Sequence, residues 1–372
     1  MPIGAGTSLF VAGDAVELVG EDLLNVIHQA DFSVFNLEVP LTDTKSPIAK
    51  CGPNLIAQTA SVAGLRAVNR GAFALANNHI MDQGVKGLDS TIRVLDDAEV
   101  PHFGAGANLR QAAQPYIFER NGVRIGFYAC AEHEFSVAGE DEPGANPFDP
   151  LESLDHVAAL KERCDYVVVL YHGGKEHYRY PSPLLRKTCR KIAEKGADIV
   201  ICQHSHCVGC VEDHDGATIV YGQGNFLFDH SKSDYWQTGM LLKATFAFPD
   251  HADRDIQLEY FPLRKHGFGV RLAKGLDAQE IMSAFWKRSS QIEKPGFVES
   301  EYEKYAEDLL SSYMDCYIPG SHTFFYRCLN KVFLGKLALL LTGKKQILRQ
   351  INRVDCEAHR ELYLAGLKGR VK

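Results

Sequence analysis

The chain has 372 residues, of which 45% are hydrophobic and 23% charged, and its formal net charge is −7. That length and balance suit two or three folded units with sizeable cores, and they exclude intrinsic disorder, a collagen-like repeat and a disulfide miniprotein. A pI near 6.1 leaves no electrostatic footprint for nucleic acid, so none is expected as a partner.

The mean hides an asymmetry. Between Ser321 and Lys372 eleven Lys and Arg stand against three Asp and Glu, a balance of +8 that leaves the upstream chain at −15. No basic and apolar leader precedes the strand-like run Ser8 to Ala12, so the ten cysteines read as reduced thiols of a cytoplasmic protein. The most apolar stretch, Val332 to Leu341, contains Gly335 and Lys336 and is far shorter than the ~20 residues of a membrane span.

In chain order, short β-type runs each deliver polar residues at their ends. Leu9–Ala12 leads to Gly13-Asp14, Phe32–Phe35 to Asn36-Leu37-Glu38, and Ala72–Ala76 to Asn77-Asn78-His79. Further on, Tyr166–Tyr171 leads to His172-Gly173-Gly174, and Asp198–Ile201 to the run Cys202 to His206. Between them Val85, Leu88, Ile92 and Leu95 mark one apolar helix face, and Pro183 to Lys195 reads as a helix stopped by Gly196. The acidic, Pro- and Gly-rich insertion Glu132 to Leu154 reads as a surface loop or lid. Strands are expected over Thr218–Tyr221, Met240–Leu242 and Ala244–Phe248. Helices are expected over Ala278–Lys287, Val298–Tyr313 and the basic Tyr326–Ala365. A boundary near residue 272 would separate domains 1–272 and 273–372.

Alternating strands and helices predict an α/β sheet whose carboxyl edge gathers ligands. The groups collected there are Asp14, Glu38, Asn78, His79, His172, His204 and His206. This mixed oxygen and nitrogen set suits Mn, Fe, Co or Zn, and it exceeds what one tetrahedral site uses. Two divalent ions roughly 3.5–4 Å apart would use the surplus in hydrolysis at phosphorus.

Gly13-Asp14, Asn36 to Thr42, Ala76 to His79 with Asp82 and Gly84, His172 to Glu176, Gly196 to His206 and Tyr221 to Phe226 together resemble the CapA-type poly-γ-glutamate capsule-synthesis family. Gly104 to Gly106 with Asn108 agrees. The resemblance spans about residues 8–265. It implies a calcineurin-like metallophosphoesterase fold, a two-sheet β-sandwich flanked by helices, here with a helical C-terminal extension. It further implies Asp14 and His206 at a first ion, Glu38 as the bridging carboxylate, His172 and His204 at a second, and Asn78 as the ligating Asn of the Asn-His motif. The ions would be Mn, Fe or Zn. His79 would protonate the leaving group, oriented by Asp82 or another carboxylate, as metal-activated water attacks a phosphoester or a similar ester or amide. Two departures stand out: Ala15-Val16 follow Asp14 where ordinary metallophosphoesterases carry Asp-x-His, and Ser205 replaces a common proline.

Asn36, Asn77, Glu132, His133, Glu176 and Asn225 flank these positions and are expected at the substrate. Their alternatives are turn chemistry for Asn77, a solvated loop for Glu132-His133-Glu134, a charged helix start for Glu176 with His177, and a supporting role for Asn225. Cys207 and Cys210 form a Cys-x-x-Cys whose readings are reduced structural thiols or a zinc or redox module. The expected substrate is a phosphorylated or acidic polymer or small molecule. The rival function is a non-catalytic binding or docking subunit of a polymer-synthesis complex. Segment 321–372 is expected to contact a membrane surface or such a complex.

Overall fold

A computed structural model describes residues 4–228, 233–247 and 256–371. Its strands in chain order are β1 Val34–Asn36, β2 Ala72–Ala74, β3 His102–Phe103, β4 Ala105–Gly106, β5 Tyr116–Arg120, β6 Val123–Ala131 and β7 Gly144–Ala145. They continue with β8 Tyr166–His172, β9 Ile199–Gln203, β10 Val208–His214, β11 Ala217–Gln223, β12 Thr238–Phe246, β13 Ile256–His266 and β14 Gly269–Leu272. Phe248, the expected end of β12, lies outside the described residues.

Two sheets carry the site. One is parallel, in the order β1-β2-β3; the other runs β10-β11-β9-β8-β6-β5. In the larger sheet β6, β8, β9 and β11 are parallel, and β5 and β10 close the edges antiparallel. β8 is buried along its whole length, as a parallel strand covered on both faces must be.

The period of two along each strand builds the layers. Ala72, Ala74 and Ala76 face Phe127, Ala129, Val168 and Leu170 across the two sheets. Phe73 and Leu75 turn the other way, onto Leu23, Leu65, Leu88 and Leu95 of the covering helices. On the far side Val167, Val169 and Val200 meet Val157, Leu160, Leu185 and Ile192. The order is helices, sheet, sheet, helices, the expected sandwich. A third, antiparallel sheet, β12-β13-β14, packs beside it.

The helix Gly84–Asp97 buries Leu88 and Leu95, while Val85 is exposed. The helix Pro183–Glu194 starts at Ser182, whose Oγ accepts the Leu185 N–H at 3.1 Å, with Pro183 in its first turn. Gly196, at φ +109°, provides the left-handed stop.

Four expectations change. Leu9–Ala12 is not a strand; Thr7–Ala12 is a helix that buries Phe10. A four-residue apolar run does not distinguish the two by period, and tertiary packing decides: a Cβ on Gly64 would stand 2.5 Å from Phe10 Cα. The edge of β1 away from β2 therefore has no strand beside it among the described residues. Second, the first compact unit runs to Val298, not 272, because the helix Gly275–Ile292 buries Ile281, Phe285 and Ile292. Third, Tyr326–Ala365 is not continuous but divides into helices Phe324–Val332, Leu337–Leu341, Lys344–Asp355 and Glu357–Val371. Gly335 at φ +79°, Gly343 and an extended Cys356 break it. Fourth, the insertion 132–154 is no open lid: Ser136, Ala145 and Asn146 are buried, and β7 pairs with β4.

Candidate metal centre

The carboxyl ends of β1, β2, β6, β8 and β9 converge, and side chains from each meet there. Glu38, His172 and His204 each place one ligand atom within 4.8 Å of the others. Glu38 and His172 are buried. His172 Nε2 lies 3.1 Å from Asn78 Oδ1, and the Asn78 amide donates to Glu134 Oε2 at 3.1 Å. His204 Nε2 stands 3.6 Å from the other Glu134 oxygen.

Burial sets the electrostatics. It pushes the Glu38 carboxyl up to about 8, helped by the nearby charge of Glu176 and opposed by the Asn36 amide. It drives His172 well below the usual histidine range and His204 down to about 4, with neighbouring imidazoles adding to both shifts. His206 is lowered for the same reason, less the effect of its bond to Asn225. The imidazoles are thus neutral, lone-pair donors near pH 7, while an unneutralised carboxylate is disfavoured.

Two atoms test whether a cation fits. Glu38 Oε1 and His204 Nδ1 are buried without a hydrogen bond, a state that costs about 1–3 kcal/mol per group. A carboxylate and two imidazoles brought this close, with one carboxylate oxygen and one imidazole nitrogen unspent, suit a borderline divalent ion. His204 and His206 also hold left-handed backbone, at φ +99° and +55°. Strain of this kind persists where the surroundings over-determine it, typically at functional sites.

His79 heads a second group. Its Nδ1 lies 2.6 Å from Asp82 Oδ2, which also accepts the Leu55 N–H at 2.6 Å. Lys50 pairs with the other Asp82 oxygen and reaches 3.3 Å from His79 Nδ1. All three side chains are buried. Lys50 escaped the sequence reading because it sits in a polar connection with no strand before it; only its burial marks it.

Several expected substrate contacts are structural. Asn77 is fully buried, donates to Leu37 O and Asn36 Oδ1, and accepts the His79 N–H. Asn36 donates to Glu38 Oε2 at 3.1 Å and so orients that carboxylate. Asn225 accepts at 2.9 Å from the His206 ring and donates back to His206 O, which fixes the imidazole. Glu132 accepts from Tyr171 Oη and Gly174 N, holding the loop after β8. His133 is exposed. Of the Glu132-His133-Glu134 cluster, Glu134 is the member that reaches the centre. Glu176 stands close enough to shift Glu38, His204 and His206.

Asp14 is not among the converging groups. With a helix in place of the first strand it is an exposed N-cap, its carboxylate accepting the Glu17 N–H at 2.9 Å. Cys207 and Cys210 are buried free thiols, and neither joins a metal-type cluster among the described residues. An aromatic wall, which the sequence reading missed, completes the rim. Trp236 stacks on His206 at 4.3 Å, donates its Nε1–H to His177 at 2.9 Å and packs edge-on to Phe228. A largely apolar cavity of about 280 Å³ extends from Glu38, His204 and His206 between the sheets, past Phe35, Leu170 and Met240.

Among known proteins, the chain is 29% identical over 275 residues to the PGA biosynthesis protein CapA of Bacillus subtilis, covering 72% of this chain and 67% of that one. It is 30% identical over 213 residues to the capsule biosynthesis protein CapA of Bacillus anthracis, covering 55% of this chain and about half (52%) of that relative. A solved phosphatase of Mycoplasma pneumoniae aligns with a TM-score of 0.41 at 15% identity, over 66% of this chain and 90% of that one. The profile of the bacterial capsule synthesis proteins, PGA_cap, matches residues 13–230. That span is more than half of the chain and holds every group of the centre, and the protein belongs to this family.

Proposed function

We propose that the protein is a metal-dependent hydrolase of the phosphoesterase type, acting on a phosphoester or a similar polar ester or amide in the metabolism of a capsule polymer such as poly-γ-glutamate. The observation that carries this reading is the pair of orphaned buried atoms, Glu38 Oε1 and His204 Nδ1, set beside His172. Glu38, His172 and His204 would hold a divalent ion, which when bound supplies Lewis acidity and lowers the pKa of water. The expectation of two ions, drawn from Mn, Fe and Zn, belongs to this proposal. With Asp14 spent on a helix cap, the second would rest on His206, Asn78 and Glu134.

The chain's own residues supply the rest. Asn36 and Asn78 orient Glu38 and His172. Asp82 engages His79 at Nδ1, which leaves Nε2 as the nitrogen that carries a proton to a leaving group. Lys50 neutralises Asp82. Trp236 and Phe228 wall the rim and exclude water on one side of His206.

The test is purification under metal-replete conditions, elemental analysis, and assay of a phosphomonoester and a phosphodiester with Mn, Zn or Fe. Bound ion with turnover lost in His79→Ala supports the hydrolase. Bound ion, lost in His204→Ala, with no turnover of any ester or amide would leave a binding or docking subunit, a reading favoured by the withdrawal of Asp14 from the centre. A chain that binds no ion and turns over no ester sinks the hydrolase and leaves only a binding role for these residues.

A further inference from the structure

The second compact unit, Glu299–Lys372, has an unusual surface for a globular piece of protein. Charge is segregated along it: residues 299–320 carry six acidic and one basic side chain, whereas 321–372 carry eleven basic and three acidic. Apolar side chains lie open within the basic half. Leu334 is 87% exposed and Phe324 83%, with Phe325 and Val332 close behind. In the helix Lys344–Asp355, Ile347, Leu348, Ile351 and Val354 fall on one side at helical spacing, and Leu348, Ile351 and Val354 are more than half exposed. Lys345, Arg349 and Arg353 occupy the opposite side. A folded water-facing unit rarely leaves so many large apolar side chains uncovered.

We propose that residues 321–372 form a peripheral docking surface for an anionic lipid bilayer, with the helix Lys344–Asp355 lying in the headgroup plane. Chemistry selects the occupant. A helix with an open apolar side and a Lys/Arg-rich polar side is the pattern of an interfacial helix, its apolar side entering the acyl boundary and its cations meeting lipid phosphates. Among the described residues no helix is long and apolar enough to cross a membrane, so attachment through this segment is interfacial. The charge pattern argues against a basic or neutral partner, and the −15 borne upstream of Ser321 would be repelled by the same bilayer. Attraction is therefore confined to the C-terminal segment, which orients the molecule.

The experiment is co-sedimentation of the full chain with vesicles of equimolar phosphatidylcholine and phosphatidylglycerol, and with vesicles of phosphatidylcholine alone. Binding is expected only to the anionic vesicles and falls as salt is added. Lys344→Ala/Lys345→Ala lowers partitioning about tenfold or more, since each cation near an anionic surface contributes on the order of 1 kcal/mol. Leu348→Glu/Ile351→Glu abolishes it while unfolding temperature and metal content stay at wild-type levels. Equal binding to both vesicle types, or to neither, overturns the proposal. So does sedimentation velocity showing a self-association that the Leu348/Ile351 variant removes, because the apolar side would then cover a second copy of the chain. These readouts need no catalysis, so they stand or fall apart from the hydrolase reading.

Discussion

His79 Nδ1 lies 2.6 Å from Asp82 Oδ2, and the same carboxylate is clamped from its other side by the buried ammonium of Lys50. The histidine proposed to move a proton is thus engaged at Nδ1 by a carboxylate that an ammonium already pairs.

Lys50 should behave as a positioning residue. Lys50→Met should lower kcat about tenfold to a hundredfold, at or below the roughly 10²–10⁴-fold that a positioned acid–base group itself contributes, with KM and bound metal little changed. Lys50→Arg should recover part of the loss. A rise in KM at constant kcat would assign Lys50 to substrate binding instead.

Metal binding should release protons. With Glu38 held up at about 8 and the site imidazoles neutral, loading an ion at pH 7 should expel about one proton, from Glu38. Affinity should climb with pH and level off above about 8. Titration calorimetry in buffers of different ionisation enthalpy reads this directly, and a release near zero would mean that the carboxyl is already ionised.

The same carboxyl burdens the metal-free fold. Its folded pKa lies above its unfolded one, so its contribution to stability is full at low pH and is lost as pH rises through about 8. Glu38→Gln, which cannot ionise, should therefore raise the unfolding temperature of the metal-free chain at pH 9 and change it little at pH 5. Thermal melts after chelation check the sign. A variant that melts lower at pH 9 contradicts the assignment.

Glu212 illustrates the opposite case. Burial works against its charge, but hydrogen bonds from Arg190, Arg186 and Tyr221 more than offset that and hold it down at about 2. Its stabilisation is present at neutral pH and is lost only as pH falls toward that value. Glu212→Gln should cost about 2 kcal/mol, below the full penalty for a broken buried pair because Arg190 is partly exposed. Urea melts at pH 7 measure it.

Gly239 supports the centre from behind. A Cβ there would sit 2.1 Å from Asn225 O, and Asn225 fixes the His206 ring. Gly239→Ala should displace that pair and lower activity and bound metal, with the fold retained by circular dichroism. Unchanged activity would show that His206 tolerates a shifted Asn225.

Legibility varied with the kind of signal. Asn36-Leu37-Glu38, Asn77-Asn78-His79, His172 and His204 to His206 were readable because parallel strands deliver the residues at their carboxyl ends to one edge, so local sequence order already encodes spatial convergence. Leu9–Ala12 misled because a short apolar run satisfies helix and strand equally. Asp14 went with it.

What the sequence determined by itself was therefore the set of donors, their order along the strands and the reversal of charge near Ser321, all properties of neighbours in the chain. The tertiary structure alone decided which donors share one buried space, which asparagines spend their amides on scaffold, and that Lys50 and Glu134 reach the centre while Asp14 does not. Those outcomes depend on burial and on contacts between residues tens of positions apart. There desolvation raises Glu38 and lowers the histidines, and no local pattern carries that energy.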